Sequence, residues 1–303
     1  MAARPHVAGL PPRPRLAPRL GGGLVAYAPA KINLNLLVGP RRADGYHPID
    51  SLVAKVTLYD RLELRPRTDG RVVFSCSGAD CGPDERNLAP RAWRAVAEAC
   101  GDSRGVRIDL RKGIPPGAGL GGGSSDAAAV LASLQELWDA PLPVGELRGL
   151  AAALGSDVPL FLGTPASRIA GRGERIAPIR VRPFLAVLIL PEFGCSTAAV
   201  YRAFDEAPAR LRRQLKPSAL IGLPSGWREL LRNDLAVAAR QVSGRLAVLW
   251  DSLSAAVHLP VFLTGSGSGL FILCDGPAEA SAVLEELPRN LPCRRIVVRA
   301  NPW

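Results

Sequence analysis

Pro115-Pro-Gly-Ala-Gly-Leu-Gly-Gly-Gly-Ser-Ser-Asp126 stands directly ahead of an alanine-rich segment. Five glycines fall within seven successive positions, at 117, 119, 121, 122 and 123. Without Cβ atoms the backbone can come close to a ligand and turn successive N–H groups toward it, while the helix that follows points its positive end at the same spot. Such a loop is a cradle for phosphate. Pro115 and Leu120 belong to it, and Ser124 and Ser125 fall where a hydroxyl can cap the helix or reach a phosphate, with Ser125 also a candidate ligand for Mg²⁺. The plainer alternative is a mobile glycine linker ending in a serine cap.

The loop matches neither of two common phosphate-binding patterns. Gly117-x-Gly119-x-x-Gly122 has the form of a dinucleotide fingerprint, but that turn must follow its strand directly, and Arg111 to Pro116 intervene after Val106-Arg-Ile-Asp-Leu110. A Walker A loop needs Gly-Lys-Ser/Thr after its glycines, and none follows. The lysine must therefore come from elsewhere. Lys31 is the candidate, on a strand face with Asn33 and after Ala28-Pro29-Ala30. A compact ammonium suits a point charge beside a transferring phosphoryl group. In Gly155-Ser-Asp157-Val-Pro159, residue pattern alone favours a helix stop followed by Asp157 as the N-cap of a short helix.

On the N-terminal side, Ile32, Leu34 and Leu36 alternate with Lys31, Asn33 and Asn35, which predicts a half-buried strand with its polar residues on one shared face. Residues 52–64, 72–76 and 106–110 read as further strands, and 89–100 as a helix. Val130, Leu131, Leu134, Leu137 and Trp138 form one apolar stripe on a helix over 124–138, and a second helix over 144–154 closes at Gly155. After Gly171 to Glu174 a fresh series begins, with buried strands at 184–190 and 270–273, a helical stretch over 227–257 and a last strand at 296–299. The domain boundary is placed near residue 180. The Arg- and Pro-rich stretch 1–23 cannot bury a core and reads as a mobile arm.

Composition narrows the function. The 38 Lys and Arg against 27 Asp and Glu give a net charge of +11, yet only four of the basic residues are Lys, at 31, 55, 112 and 216. The basic residues are dispersed and aromatics make up 5%, so the charge suits anionic small molecules better than a nucleic acid. Six Cys without C-x-x-C spacing signal neither zinc nor a redox dithiol and read as reduced core thiols of a cytoplasmic protein. The longest apolar run, 184–190, is too short to span a bilayer.

Taken together, Pro29-Ala-Lys-Ile-Asn-Leu, Arg42-Ala-Asp-Gly-Tyr-His47, the Gly117 to Asp126 loop, Leu154-Gly-Ser-Asp-Val-Pro159 and Leu263-Thr-Gly-Ser-Gly-Ser268 resemble the ordered motifs of the GHMP kinase superfamily. The resemblance covers about residues 25 to 300. Asp-Gly-Tyr-His points within it to the branch that acts on a cytidine-linked alcohol. The implied fold is α+β in two domains: one like the second domain of ribosomal protein S5 over 24–180, and a ferredoxin-like one over 181–303. The implied activity is ATP- and Mg²⁺-dependent phosphorylation of the 2-hydroxyl of a cytidine diphosphate methylerythritol, in the non-mevalonate route to isoprenoids. No nucleic acid or membrane partner is implied.

On that resemblance Asp157 matches the catalytic base and Lys31 its partner on the same hydroxyl. Tyr46 and Tyr201 match aromatics that stack on cytosine, and His47 the residue that hydrogen-bonds its edge. Asn33 and Thr197 line the same substrate site. Asn87 and Lys112 fall in the adenosine pocket, and Gly265, Ser266 and Gly267 form a glycine turn that closes over the loop. The alternatives are another small-molecule GHMP kinase, or a catalytically inactive nucleotide-binding regulator of the same fold.

Overall fold

The computed structural model describes residues 15–18, 22–79, 86–101, 104–206 and 216–300. Its first sheet is built on two long strands, β2 (Leu24–Val38) and β3 (Ile49–Arg67), paired antiparallel along their length. Around them lie β1 (Arg15–Pro18), β4 (Val72–Ser77), α1 (Leu88–Cys100), β5 (Gly105–Arg111), α2 (Gly122–Leu137), α3 (Val144–Leu154), α4 (Val158–Leu162), β6 (Ala166–Gly171) and β7 (Arg175–Pro178). The strand order is β1-β2-β3-β5-β4. The far edge of β3 is shared, its C-terminal half pairing with β5 and its N-terminal half with β6, to which β7 adds.

A second sheet follows. It holds β8 (Leu185–Pro191), β9 (Phe262–Leu263), β10 (Leu270–Cys274) and β11 (Cys293–Arg299), with α5 (Thr197–Asp205), α6 (Ala236–Val242), α7 (Gly244–Ala256) and α8 (Pro277–Glu286) between them. Every pairing is antiparallel, in the order β11-β8-β10-β9. Numbered within the sheet this is 4-1-3-2, the ferredoxin-like arrangement. The first sheet ends at Pro178 and the second starts at Leu185. Ala30, Ile32 and Leu34 of β2 share one buried core with Leu188 of β8, Phe271 of β10 and Trp227, so the two sheets pack against each other.

Helix α2 departs from the expected one-sided stripe. Every residue from Ser125 to Leu134 is buried, because α1, α3 and α4 surround it and β2 and β3 lie beneath. Its run of alanines allows that close approach, and a Leu131→Ala change there should cost about 2–5 kcal/mol. This buried helix fixes the position of the glycine loop at its N-terminus.

Several other expectations are corrected. Within the presumed arm, residues 15–18 pair with 24–27 as β1, since an extended segment satisfies the open edge of β2; residues 1–14 and 19–21 lie outside those described. The polar face of β2 is shorter than alternation implies. A register shift between Asn33 and Asn35 sets Asn33 opposite Val53 and Asn35 opposite Leu52, so the bulge takes Asn35 off the face of Lys31 and Asn33. The helical stretch 227–257 is broken into short turns, α6 and α7, with Ser243 capping α7 through Leu246 N–H. Gly155 ends α3 with φ 173°, an extended residue instead of a left-handed cap. Cys76, on the edge strand β4, is disulfide-bonded and not a reduced core thiol. Cys100 and Cys293 are only half-buried. Among the described residues no helix is long and apolar enough to cross a membrane.

Candidate active site

Two cavities meet at the glycine loop. One, of about 720 Å³, lies between the domains, and the other, of about 500 Å³, lies on the far side of the loop. Gly119, Gly121 and Ser124 line both, so the loop is their common wall. Gly117, Gly119 and Gly121 have φ of 70°, 72° and 72°, the left-handed region that favours glycine. Space forbids a side chain as well: a Cβ on Gly119 would lie 2.3 Å from the Thr264 carbonyl oxygen, and one on Gly121 would lie 2.8 Å from the Phe161 ring.

The larger cavity gathers Lys31, Asn33, Tyr46, His47, Asp157, Thr197, Tyr201, Gly265 and Ser266. Lys31 is buried, and its Nζ donates to Asn33 Oδ1 at 2.6 Å. Asn33 is itself held, its Nδ2 donating to Ser51 Oγ at 2.8 Å and its backbone N–H to Thr264 Oγ1 at 3.1 Å. Burial pulls the Lys31 ammonium below the ordinary lysine value, and the negative charge of Asp157 pushes it back. Asp157 stands at the N-cap position of α4 without a capping side-chain hydrogen bond. Asp157 lines the cavity, and the capping role that residue pattern favours is not taken up.

At the other end of this cavity, His47 Nε2 and Asp205 Oδ1 lie 2.6 Å apart, and the Tyr201 ring is tilted against the imidazole at a centroid distance of 5.1 Å. Burial, with the Asp157 charge, pushes the Tyr201 phenol up to about 12. Tyr46 is half exposed, and the guanidinium carbon of Arg172 sits 3.8 Å from its ring centroid.

The second cavity holds Asn87, Lys112, Pro115, Gly117, Leu120, Gly122 and Gly123. Asn87 also caps α1, its Oδ1 accepting from Ala89 N–H at 2.9 Å. Lys112 reaches two carboxylates, Asp60 Oδ2 and Asp126 Oδ2, the latter at 2.8 Å. Asp60 further accepts from the N–H groups of Gly113 and Ile114 at 2.6 and 2.8 Å. Burial drives the Asp126 carboxyl well above the usual carboxylate range, and its Oδ1 has no hydrogen-bond partner.

Two predicted site residues lie outside both cavities. Ser125 is buried with an unpartnered hydroxyl and lines neither one, because it faces the helix packing one position beyond Ser124. Gly267 shapes its turn from behind, with φ 85°. That turn is fastened to the loop: the N–H groups of Ser268 and Gly269 donate to the Gly117 and Ala118 carbonyls at 3.2 and 3.1 Å.

The sequence reading missed Asn233, Asp205, Arg172, Asp60 and Asp126. Asn233 Nδ2 donates to the Leu263 and Gly265 carbonyls at 3.0 and 2.7 Å, and so fixes the glycine turn beside Lys31. Asp205 follows Tyr201 by four positions on α5, a spacing that puts both on one helix face and could have been read.

Residues 87–163 match the GHMP kinases N terminal domain, and residues 218–293 the GHMP kinases C terminal domain. A 4-diphosphocytidyl-2-C-methyl-D-erythritol kinase of Polaromonas sp. is 40% identical over 269 residues, 84% of this chain and 85% of its own. The protein of that name from Mycolicibacterium vanbaalenii is 36% identical over 93% of this chain and 91% of its own. The solved structure of a 4-(cytidine 5'-diphospho)-2C-methyl-D-erythritol kinase superposes with a TM-score of 0.77 at 37% identity, covering 92% of this chain and 100% of that one. A homoserine kinase from Cytophaga hutchinsonii shares the fold, with a TM-score of 0.65 at 15% identity over 94% of this chain and 96% of its own.

Proposed function

The chain belongs to the GHMP kinase family, and from that premise we propose that it transfers the γ-phosphoryl group of ATP to the 2-hydroxyl of 4-diphosphocytidyl-2-C-methyl-D-erythritol. The observation that carries this reading is the shared wall: a glycine loop with one cavity for a nucleotide behind it and one for an acceptor in front. The acceptor cavity has a basic and acidic pair, Lys31 and Asp157, at one end and an aromatic group with His47 at the other. That division fits an alcohol joined to a base through a diphosphate.

In this reading ATP lies in the second cavity with its phosphates against the N–H groups of the loop and the N-terminus of α2. Asp157 takes the proton of the acceptor hydroxyl, and the Lys31 ammonium orients the same oxygen and offsets the charge that develops on it. A tertiary alcohol is a hindered nucleophile, so positioning supplies most of the rate. Tyr46 and Tyr201 offer faces to the cytosine. Stacking tolerates any base; selection of the pyrimidine falls to His47, whose Nε2 is engaged by Asp205 and whose Nδ1 is left for the base edge.

Mg²⁺ fits the residues present: Ser124 lines both cavities, and the buried, unpartnered Asp126 Oδ1 belongs to the wall of the second. Those two side chains would hold it, both offering the hard oxygen ligands that Mg²⁺ takes. When bound, the ion neutralises charge on the transferring phosphoryl group. Ser124 replaces Ser125 in that role.

The test is a comparison of kcat/KM with Mg-ATP for 4-diphosphocytidyl-2-C-methyl-D-erythritol, free methylerythritol, homoserine and mevalonate. The cytidylylated alcohol should exceed the others by at least about 10²-fold, the scale of discrimination that buried polar contacts supply. Comparable turnover of homoserine or mevalonate would overturn the substrate assignment.

A further inference from the structure

The tight turn between β6 and β7 aims one cation at the acceptor cavity. Gly171 and Gly173 have φ of 74° and 111°, and Glu174 Oε2 accepts from the Arg172 N–H between them. The turn is therefore fixed, and its Arg172 side chain projects to the cavity wall, where the guanidinium covers a face of Tyr46 at 3.8 Å. The other charged groups on that wall are Lys31, Arg41, Arg202, Asp157 and Asp205. Lys31 is committed to Asn33, Arg41 Nε donates to the Gly45 carbonyl at 3.2 Å, and Asp205 is held by His47. The charge of Glu174, at the base of the turn, is close enough to feel that of Arg172.

We infer that Arg172 is the diphosphate-binding residue of the acceptor cavity, resting on the Tyr46 ring and turning from it to the diphosphate when a cytidine nucleotide is seated. The inference rests on the cytidine reading of Tyr46 and His47. An exposed cation–π contact is weaker than a pair of charge-assisted hydrogen bonds from a guanidinium to phosphate, so a diphosphate within reach draws the side chain off the ring. The planar fork of five donors suits that geometry, and Lys would supply the charge without the fork. Because the side chain is exposed, its replacement leaves the packing of the turn intact.

Titration calorimetry with cytidine, CMP and CDP on the wild-type protein, Arg172→Gln and Arg172→Lys tests this. Wild type should bind CDP more tightly than cytidine. Arg172→Gln should weaken CDP by roughly 10-fold or more and leave cytidine within about twofold, with Arg172→Lys between the two. Unchanged CDP affinity in Arg172→Gln would overturn the inference, and so would equal losses for cytidine and CDP, which would make Arg172 only a support for Tyr46. Failure of the wild type to bind CDP at all would overturn the cytidine reading and the inference with it.

Discussion

Lys31 and Lys55 stand directly opposite each other on β2 and β3, and both are buried, at 5% and 1% exposure. Like charges placed so oppose folding. Each has found different partners: Lys31 the Asn33 amide, and Lys55 the carbonyls of Phe161 and Gly163 at 3.1 and 2.7 Å, at the C-terminal end of α4. Lys55 thereby ties to the sheet the short helix that Asp157 immediately precedes.

Burial pulls the Lys55 ammonium down to about 7, from an ordinary value of 10.5. Between those values the unfolded chain holds a proton that the folded chain has released, so stability rises with pH through that window and the gain is lost as pH falls to about 7. Relative to Lys55→Met, the wild type should gain about 1.4 kcal/mol per pH unit between roughly pH 7 and 10. Urea unfolding of both proteins across that range reads the difference. Parallel slopes would show that Lys55 titrates normally.

Asp157→Asn should fold with nearly unchanged stability, because the carboxylate makes no capping hydrogen bond that the helix would lose. Its kcat should fall by about 10²- to 10⁴-fold, the range for loss of a positioned base, while ATP affinity stays near that of wild type. Turnover close to wild type in a folded variant would remove Asp157 from the chemistry.

Asp60 and Asp126 both touch Lys112 and should behave differently. Asp60 receives Lys112 and two backbone N–H groups, so Asp60→Asn turns an amide against buried donors and should cost about 3 kcal/mol. Asp126 receives only Lys112, so Asp126→Asn gives up that pairing but no backbone hydrogen bond and should cost less than Asp60→Asn, while raising the Mg²⁺ concentration needed for half-maximal rate. Denaturant titration and a Mg²⁺ series separate the two effects. Equal destabilisation by both changes would contradict this division.

Gly121→Val meets two obstacles, a left-handed φ of 72° and a Cβ 2.8 Å from the Phe161 ring and 3.2 Å from Lys31 Cγ. The strain and overpacking together should cost on the order of 3 kcal/mol, and calorimetry with an ATP analogue and Mg²⁺ should detect no binding. Affinity like that of wild type would return the loop to a plain linker.

Local signals carried much of this architecture. The glycine loop, the strands 52–64 and 106–110 and the helix over 144–154 were legible because period and punctuation coincide there. The scarcity of lysine was also a signal. It pointed to Lys31, and it applied equally to Lys55 and Lys112, whose side chains are buried as well. What stayed hidden depends on long-range pairing. Nothing local to Asn35 announces the bulge that turns it from its neighbours, and Asn233 reads as part of a helix until the turn at 263–265, about thirty positions away, supplies its partners. Arg172 and Tyr46 likewise meet only because β6 pairs with β3.

Phosphorus NMR of 4-diphosphocytidyl-2-C-methyl-D-erythritol incubated with Mg-ATP and the purified protein, with Asp157→Asn alongside, follows the phosphoryl transfer itself. One new phosphomonoester resonance should grow in step with ADP, with the diphosphate resonances retained, and the folded variant should show neither change. ADP formed without that monoester, or the same monoester from Asp157→Asn at the wild-type rate, would contradict the proposed transfer.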